Sequence, residues 1–155
     1  MDTRAEIGVT TEKGTIYSVY CNLNGDVKNV GRILLENYND YELVRKLVSY
    51  GDIYELKKYI DNGIFNRNES REETTIYDIR DRNLSWSLCR ATNSRTLKGY
   101  LNRSRERDAS YAYLFDKENN EWLCYDLVNN ESYRLEDKLR ELGYVTDEKE
   151  GHKAR

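Results

Sequence analysis

Residues 5–22, AEIGVTTEKGTIYSVYCN, hold two apolar runs joined by a short polar turn. Ile7 and Val9 alternate with small or polar neighbours, and a second run begins at Ile16. Alternation with a period of two is typical of a strand with one buried face. Gly14 in the turn can adopt a positive φ angle without steric cost. The stretch therefore predicts a β-hairpin, and with it a sheet for the rest of the chain to pack against.

A second hairpin is predicted near the C-terminus, where 110–115 and 121–127 flank a polar turn at 116–120. Between the two hairpins, capping residues and apolar residues at three- and four-residue spacing predict several short helices. The other predicted elements are helices at 27–37, 39–50, 52–62, 93–101 and 135–142, and strands at 75–79 and 86–91. The prediction is a single α+β domain over 1–147, an antiparallel sheet of hairpins with the helices on one side. The charged segment 148–155 is expected to be a disordered tail.

Composition bounds the class of protein. No run of 18 apolar residues is present, so we expect that no segment spans a membrane. The start lacks the basic-then-apolar pattern of a signal peptide, so we expect a cytoplasmic protein. Three cysteines without a CxxC pair argue against a disulfide framework or a zinc site and indicate buried thiols. With a net charge of −3, long nucleic acid is a poor partner.

The chain carries few of the residues that catalysis usually requires. Its single histidine, His152, lies in the charged tail, so triads that need histidine are excluded from the body. Neither GxGxxG nor GxxxxGK is present, and no carboxylate cluster has metal-ligand spacing. We therefore expect a binding protein rather than an enzyme, with no cofactor.

A basic segment lies in the middle of this acidic chain. Residues 67–107 hold ten basic and six acidic side chains, a local charge of +4, with tyrosines and Trp86 among them. Arginine forks and aromatic rings suit the phosphates and bases of nucleotides. The alternative is a solvated charged face beside an aromatic core. Within the segment, Arg103, Arg105 and Arg107 are read as a solvated turn.

Three places are candidate ligand contacts. Arg80 and Arg82 flank Asp81 at a predicted strand end, so both guanidinium groups could converge on one phosphate while Asp81 points away. The alternative is that Asp81 pairs with one of the two arginines. Arg4 could face an anion at the entrance of the first strand, or belong to a frayed terminus. The polar turn that holds Asn22 and Asn24 could be an ordinary turn.

Several of these motifs resemble a widespread group of small phage and prophage proteins. The motifs are TRAEIG at 3–8, IYSVYC at 16–21 followed by Gly25, VGRILLENY at 30–38, GDI at 51–53, RDR at 80–82 and the tyrosine-rich hairpin at 111–122. The group includes sponge proteins that counter cyclic-oligonucleotide defence. The resemblance implies tight binding, without cleavage, of a cyclic dinucleotide such as 3′,3′-cyclic GMP-AMP or of a related nucleotide signal.

The resemblance also implies the roles of individual residues. Thr3, Arg4, Arg80 and Arg82 correspond to the group's motifs, and the three arginines would neutralise phosphates. Aromatic stacking on bases would come from Tyr20, Tyr77 and Tyr113, and Asn22 and Asn24 would read base edges. After the Tyr-Cys pair the group has histidine, an aromatic residue and aspartate, then glycine and Tyr-Pro. Residues 22–27 here read NLNGDV, which puts the choice of base in doubt.

Two other functions stay open at this point. One is a phosphodiesterase that degrades the same signal. The other is a protein that binds and inhibits a host defence enzyme, with the acidic segment 108–150 as its contact face; twelve acidic and five basic residues give that segment a charge of −7. A homodimer would suit a ligand with pseudo-two-fold symmetry.

Overall fold

The computed structural model of the chain describes residues 3–61 and 71–145, except the side chain of Arg71. Eight strands form one sheet, and the described residues also contain five α-helices. The strands are β1 (Ala5–Thr10), β2 (Ile16–Cys21), β3 (Ile53–Glu55), β4 (Ile76–Tyr77), β5 (Thr92–Ser94), β6 (Tyr111–Asp116), β7 (Glu121–Asp126) and β8 (Glu131–Arg134). The helices are α1 (Arg32–Asn37), α2 (Tyr41–Ser49), α3 (Trp86–Cys89), α4 (Leu97–Glu106) and α5 (Leu135–Glu141). The predicted tail at 148–155 lies outside the described residues.

The predicted α+β class and both predicted hairpins are confirmed. The strand order is β4-β3-β2-β1-β6-β7-β8, with β5 also paired to β2. In the first hairpin Ala5 lies opposite Cys21, so β1 begins where β2 ends. We call that end of the sheet the polar end. The opposite end, where residues 11–15 connect β1 to β2, is the hairpin end.

The prediction of a wholly antiparallel sheet is wrong, because β6 runs parallel to β1 and β2 runs parallel to β3. For β6 and β1 the reason lies in the connection from β5 to β6. β5 runs towards the hairpin end, and α4 then carries the chain back to the polar end before β6 begins opposite Ala5. A helical crossover of this kind is how two parallel strands are joined.

The helices are not all on one side either, which corrects the second part of that prediction. The main core contains apolar residues of α1, α2 and α5 against one face of the sheet. On the other face, Tyr100 of α4 packs with Ile16, Ala112 and Leu114. A Cβ on Gly8 would lie 3.0 Å from the Tyr100 ring, so the glycine admits this close approach. One helix, α4, thus packs on the second face.

Local signals misled the prediction at three places between the hairpins. The helix predicted at 93–101 begins only at Leu97, with Thr96 as its N-cap, because Thr92–Ser94 form β5. The helix predicted at 52–62 is wrong where β3 pairs Ile53 with Cys21, although Asp52 and Glu55 have capping-box spacing. The strand predicted at 86–91 is wrong as well, because α3 occupies Trp86–Cys89. At 39–50 the prediction is confirmed as α2, with Asp40 as the N-cap and Gly51 at φ +89° after the helix. Pairing with distant strands overrode propensity in β3.

Four tyrosines are fully buried: Tyr38, Tyr77, Tyr100 and Tyr113. Each hydroxyl donates a hydrogen bond of 2.6–2.8 Å to a backbone carbonyl oxygen, at Lys57, Leu47, Tyr113 and Gly25 respectively. A buried hydroxyl without a partner would destabilise the fold, so these bonds make tyrosine acceptable in the core. All three cysteines are free, with Cys21 and Cys124 buried as predicted and Cys89 half-buried. In the described residues no helix is both long enough and apolar enough to span a bilayer.

Candidate functional site

Most of the predicted ligand contacts lie together at the polar end of the sheet. The Gly25 N–H donates to the Thr3 carbonyl oxygen at 2.8 Å, which holds the turn after β2 against the strand entrance. The first hairpin therefore brings together Thr3, Arg4, Tyr20, Asn22 and Asn24. Arg4 and Asn24 are exposed at this end, whereas Thr3 and Asn22 are half-buried. The structure confirms that they are neighbours and leaves their roles as predictions.

Arg107 is the centre of this end, although it was expected in a solvated turn. It follows α4 as its C-cap residue. Its Nη1 donates to Glu6 Oε1 at 3.2 Å and its Nη2 donates to Asp52 Oδ2 at 3.1 Å. The guanidinium carbon lies 4.4 Å from the centre of the Tyr20 ring, and the Tyr20 hydroxyl donates to the Arg107 carbonyl oxygen at 3.0 Å. The reading of Arg107 as a solvated residue is therefore wrong.

A second arginine is held in the same way beside it. Arg82 Nη1 donates to Asp78 Oδ1 at 2.8 Å, and the Arg82 guanidinium lies 4.0 Å from the centre of the Tyr54 ring. Asn22 Nδ2 donates to the other Asp78 oxygen at 3.3 Å. We call Glu6, Tyr20, Asp52, Asp78, Arg82 and Arg107 the Arg107 cluster. Its carboxylates are buried, whereas both arginines are part-exposed.

Glu6 is the most deeply buried member of the Arg107 cluster. Burial raises the pKa of Glu6 to about 7, against the lowering effect of Arg107, and nearby Asp52 raises it further. Glu6 Oε2 has no hydrogen-bond partner among the residues that the structure describes. Burial also raises the pKa of Asp52, which its hydrogen bond from the Tyr20 N–H and its contact with Arg107 oppose. Near neutral pH, Glu6 therefore carries only part of a negative charge.

Arg4 stands at the rim of the cluster, next to Tyr20. Burial raises the pKa of the Tyr20 hydroxyl, while the charge of Arg4, and after it Arg107, lowers it. Tyr20 itself is almost fully buried between strand neighbours and Arg107. Its ring face is thus taken by a guanidinium, and the stacking role expected of Tyr20 is better described as support for Arg107.

Arg80 and Arg82 do not converge, which corrects the prediction made from their spacing. Arg80 donates to both oxygens of Asp81, to Asp61 and to the Thr75 carbonyl oxygen, so Asp81 faces Arg80 rather than pointing away. Residues 78–82 form a turn after the two-residue β4, so strand alternation does not apply to them. The Arg80 guanidinium also packs over the rings of Tyr50 and Tyr77.

Two predicted stacking rings are core residues. Tyr77 and Tyr113 are fully buried, and their hydroxyls bond the Leu47 and Gly25 carbonyl oxygens. A base can stack only on an exposed ring face, so neither ring is available to a ligand in this structure. A tyrosine in an apolar alternating strand gives no local sign of whether its face will be covered.

Asp52, Asp78 and Cys89 form a group of potential metal ligands, with one ligand atom each within 4.8 Å of the others. Each of the four carboxylate oxygens already accepts a hydrogen bond, from the Tyr20 N–H, Arg107, Arg82 and Asn22. The donor set therefore describes a hydrogen-bonded network that positions arginines.

Open grooves of about 520 and 540 Å³ lie at the hairpin end, around the turn at 11–15. Arg45 lies over the rings of Tyr17 and Tyr41 there. Glu12 pairs with Lys117 at 3.0 Å, and Glu42 lines the same groove as Arg45. Acidic and basic side chains are balanced in the first groove, and the second has three acidic side chains, Glu12, Asp116 and Glu118, against Lys117 alone. Both grooves are therefore poor receptors for a dianion.

The site also contains four residues that were not predicted for it: Glu6, Asp52, Asp78 and Tyr54. Glu6 could have been noticed, since a carboxylate between Ala5 and Ile7 sits in an otherwise apolar strand. The other three join the site through contacts between distant segments, which leave no local pattern. No family model, curated protein or solved structure matches the chain.

Proposed function

We propose that the protein binds a cyclic dinucleotide, such as 3′,3′-cyclic GMP-AMP, or a related nucleotide signal at the polar end and sequesters it without cleavage. One observation carries the proposal: Arg4, Arg82 and Arg107 lie at one end of the sheet, two of them aimed by buried carboxylates. The resemblance to phage sponge proteins supports the same function. Such a protein would act in the cytoplasm of the host cell, where the signal is made.

The buried carboxylates make the arginines better phosphate receptors in two ways. Each ion pair fixes a side chain that would otherwise lose rotamer freedom on binding. Arg107 uses two of its five N–H donors on Glu6 and Asp52, so the other three stay available to phosphate oxygens. Because burial raises the pKa of Glu6 to about 7, this carboxyl group offsets less of the arginine charge near neutral pH than an ordinary glutamate would.

Asn22 and Asn24 would recognise the base edges. Asn22 Nδ2 donates to Asp78, which fixes the amide plane and leaves its Oδ1 as an acceptor for a base amino group. Asn24 is exposed at φ +54°, a left-handed conformation that asparagine tolerates better than most residues. An amide offers both a donor and an acceptor, which suits a purine edge.

Binding without cleavage is favoured over the phosphodiesterase alternative by the position of Glu6. A carboxylate with a pKa of about 7 has a pKa suited to a general base near neutral pH. Glu6 is fully buried beneath Arg107, however, whereas a base must come within hydrogen-bond reach of its substrate. In the proposal Glu6 holds Arg107 and takes no proton from the ligand.

Calorimetric titration with a panel of cyclic dinucleotides tests the proposal. Wild-type protein should bind at least one of them, and heat release followed by chromatography should recover that ligand intact. Linear product would establish the phosphodiesterase. Absence of binding across the panel would contradict the proposal and favour the protein-binding inhibitor.

Arg4→Ala tests the rim of the site. Loss of one charged contact to phosphate should weaken binding by about tenfold or more. Arg32→Ala is the matched control, since Arg32 is exposed on α1 and pairs with Glu36 at 3.0 Å. Equal affinity of the Arg4→Ala and Arg32→Ala variants would remove Arg4 from the site.

A further inference from the structure

An apolar ridge borders the Arg107 cluster and is not explained by the fold. It consists of Leu84, Trp86 and Leu88, which are 43, 62 and 81 % exposed. The three side chains fall within five residues of chain, next to Arg82 and ahead of β5. Large apolar side chains concentrated in this way mark contact sites more often than isolated ones do.

The ridge is anchored to the cluster at both of its ends. The Leu84 N–H donates to the Asp78 carbonyl oxygen at 3.0 Å, and the Asp52 N–H donates to the Cys89 carbonyl oxygen at 2.7 Å. The Cys89 sulfur also lies within 4.8 Å of a carboxylate oxygen of Asp52 and of Asp78. The residues that orient Arg82 and Arg107 therefore also fix the position of the ridge.

Trp86 lies on α3, between the two anchors. Its indole is contacted by Arg90, whose guanidinium carbon is 5.2 Å from the ring centre. A cation on one face orients a ring and leaves the rest of its surface open, and more than half of this side chain is exposed. Aromatic faces of this kind stack on nucleobases, whose own faces are apolar and planar.

We propose that Trp86 is the stacking platform for one base of the nucleotide whose phosphates contact the Arg107 cluster. This inference rests on the proposed function and gives it an aromatic contact in place of the buried Tyr77 and Tyr113. Trp86 lies four residues after Arg82, and the segment that carries it is hydrogen-bonded to Asp78 and Asp52, the residues that hold Arg82 and Arg107.

Intrinsic fluorescence tests the inference directly, because the chain has two tryptophans and the other is buried. Trp122 donates its indole N–H to the Tyr38 carbonyl oxygen at 2.7 Å and serves as an internal reference. Titration with 3′,3′-cyclic GMP-AMP should quench the wild-type emission. Trp86→Phe should abolish the quenching while calorimetry still detects binding. Trp86→Ala should raise the Kd by about tenfold, the order of one lost stacking contact.

Leu88→Ala is the matched control, since it removes an exposed apolar side chain of the same ridge and should change the Kd less than twofold. The thermal midpoints of the variants should agree, which excludes misfolding as the cause. Calorimetric binding without quenching, and with an unchanged Kd for Trp86→Ala, would overturn the inference and leave the proposed function intact. If no nucleotide of the panel binds the protein, both the stacking role of Trp86 and the proposed function are overturned, and a protein partner is indicated for the ridge.

Discussion

Glu6 shows how one buried residue determines the chemistry at the polar end. Glu6 lies in an apolar strand, and its buried carboxylate accepts a hydrogen bond from Arg107, which is 101 residues later in the chain. Removal of one partner from a buried ion pair leaves the other charge uncompensated. The pair therefore positions the arginine and makes the local charge depend on pH.

The raised pKa of Glu6 predicts a pH-dependent stability. Because its pKa is about 7 in the folded protein and 4.5 is its ordinary value, the folded state binds the proton more tightly. This stabilisation is fully present below pH 4.5 and is lost as the pH rises through 7, by roughly 3 kcal/mol in the limit. Chemical denaturation between pH 5 and 8.5 should show the decline, and Glu6→Gln should flatten it.

Glu12→Gln provides the control for that experiment. Glu12 is exposed, and its hydrogen bond with Lys117 lowers its pKa, so it titrates below the measured range. Its variant should keep the wild-type slope. If Glu6→Gln keeps the same slope as well, Glu6 is not the group that titrates.

The buried hydroxyl of Tyr113 gives a second prediction on stability. Its hydroxyl donates to the buried Gly25 carbonyl oxygen at 2.7 Å. Tyr113→Phe leaves that oxygen without this donor and should lower the free energy of unfolding by about 1–3 kcal/mol. Tyr144→Phe, at a more exposed ring, should change it by less than about 0.5 kcal/mol. Equal effects of the two changes in urea denaturation would contradict the assignment of Tyr113 to the core.

Among the elements, α4 has the largest effect on the site. It crosses the second face of the sheet, begins with the Thr96 side chain accepting from the Gly99 N–H, and ends at Arg107 beside Glu6. Tyr100 fixes its height above Gly8. The same crossing makes β6 parallel to β1. One helix thus produces both the mixed sheet and the position of the central arginine.

Gly51 packs closely against the end of the segment that carries the ridge. Its φ is +89°, and a Cβ there would lie 2.6 Å from the Cys89 carbonyl oxygen. Gly51→Ala should therefore lower the thermal midpoint and displace the segment that ends at Cys89. Alkylation of native protein at pH 8.5 should show faster modification of Cys89 than in wild type.

Gly143→Ala separates strain from contact. Gly143 has a similar φ of +90°, but a Cβ there would meet no heavy atom within 4 Å. Its variant should lose only the cost of a left-handed alanine, about 1 kcal/mol, and leave the alkylation of Cys89 unchanged. A Gly51→Ala variant no less stable than Gly143→Ala would contradict the close packing of the segment on Gly51.

The elements also show what the sequence could and could not predict. The two hairpins and α2 were predicted because alternation, turn residues and capping act over a few neighbouring residues. β3 was misread as a helix because its pairing with Cys21 is 32 residues distant, while the helix signals at Asp52 and Glu55 are local. Arg107 was missed for the same reason, since both its carboxylate partners come from other segments.

At the scale of the molecule, charge is distributed unevenly. The chain carries a net charge of −3, yet three arginines gather at the polar end. An acidic protein in which three arginines lie at one end suits a small anion better than a long polyanion, whose backbone would meet the acidic side chains as well. A ligand that binds only the folded state must also raise its apparent stability.

The symmetry of the proposed ligand bears on the oligomeric state. A cyclic dinucleotide has two-fold or pseudo-two-fold symmetry, which a homodimer with a shared site would match. Light scattering at the concentration used for calorimetry should then give twice the chain mass of 18.4 kDa. A single chain mass, together with one bound ligand per chain, would establish a monomeric site.

The position of the proposed ligand is tested by the Kd values of the Arg82→Ala and Arg80→Ala variants for the cyclic dinucleotide that the wild-type protein binds, determined side by side by calorimetry. These arginines are two residues apart and both contact acidic partners, but only Arg82 belongs to the Arg107 cluster. Arg82→Ala should weaken binding by about tenfold or more, and Arg80→Ala by less than twofold. A larger loss for Arg80→Ala than for Arg82→Ala would place the ligand away from the polar end and contradict a role of the Arg107 cluster in binding.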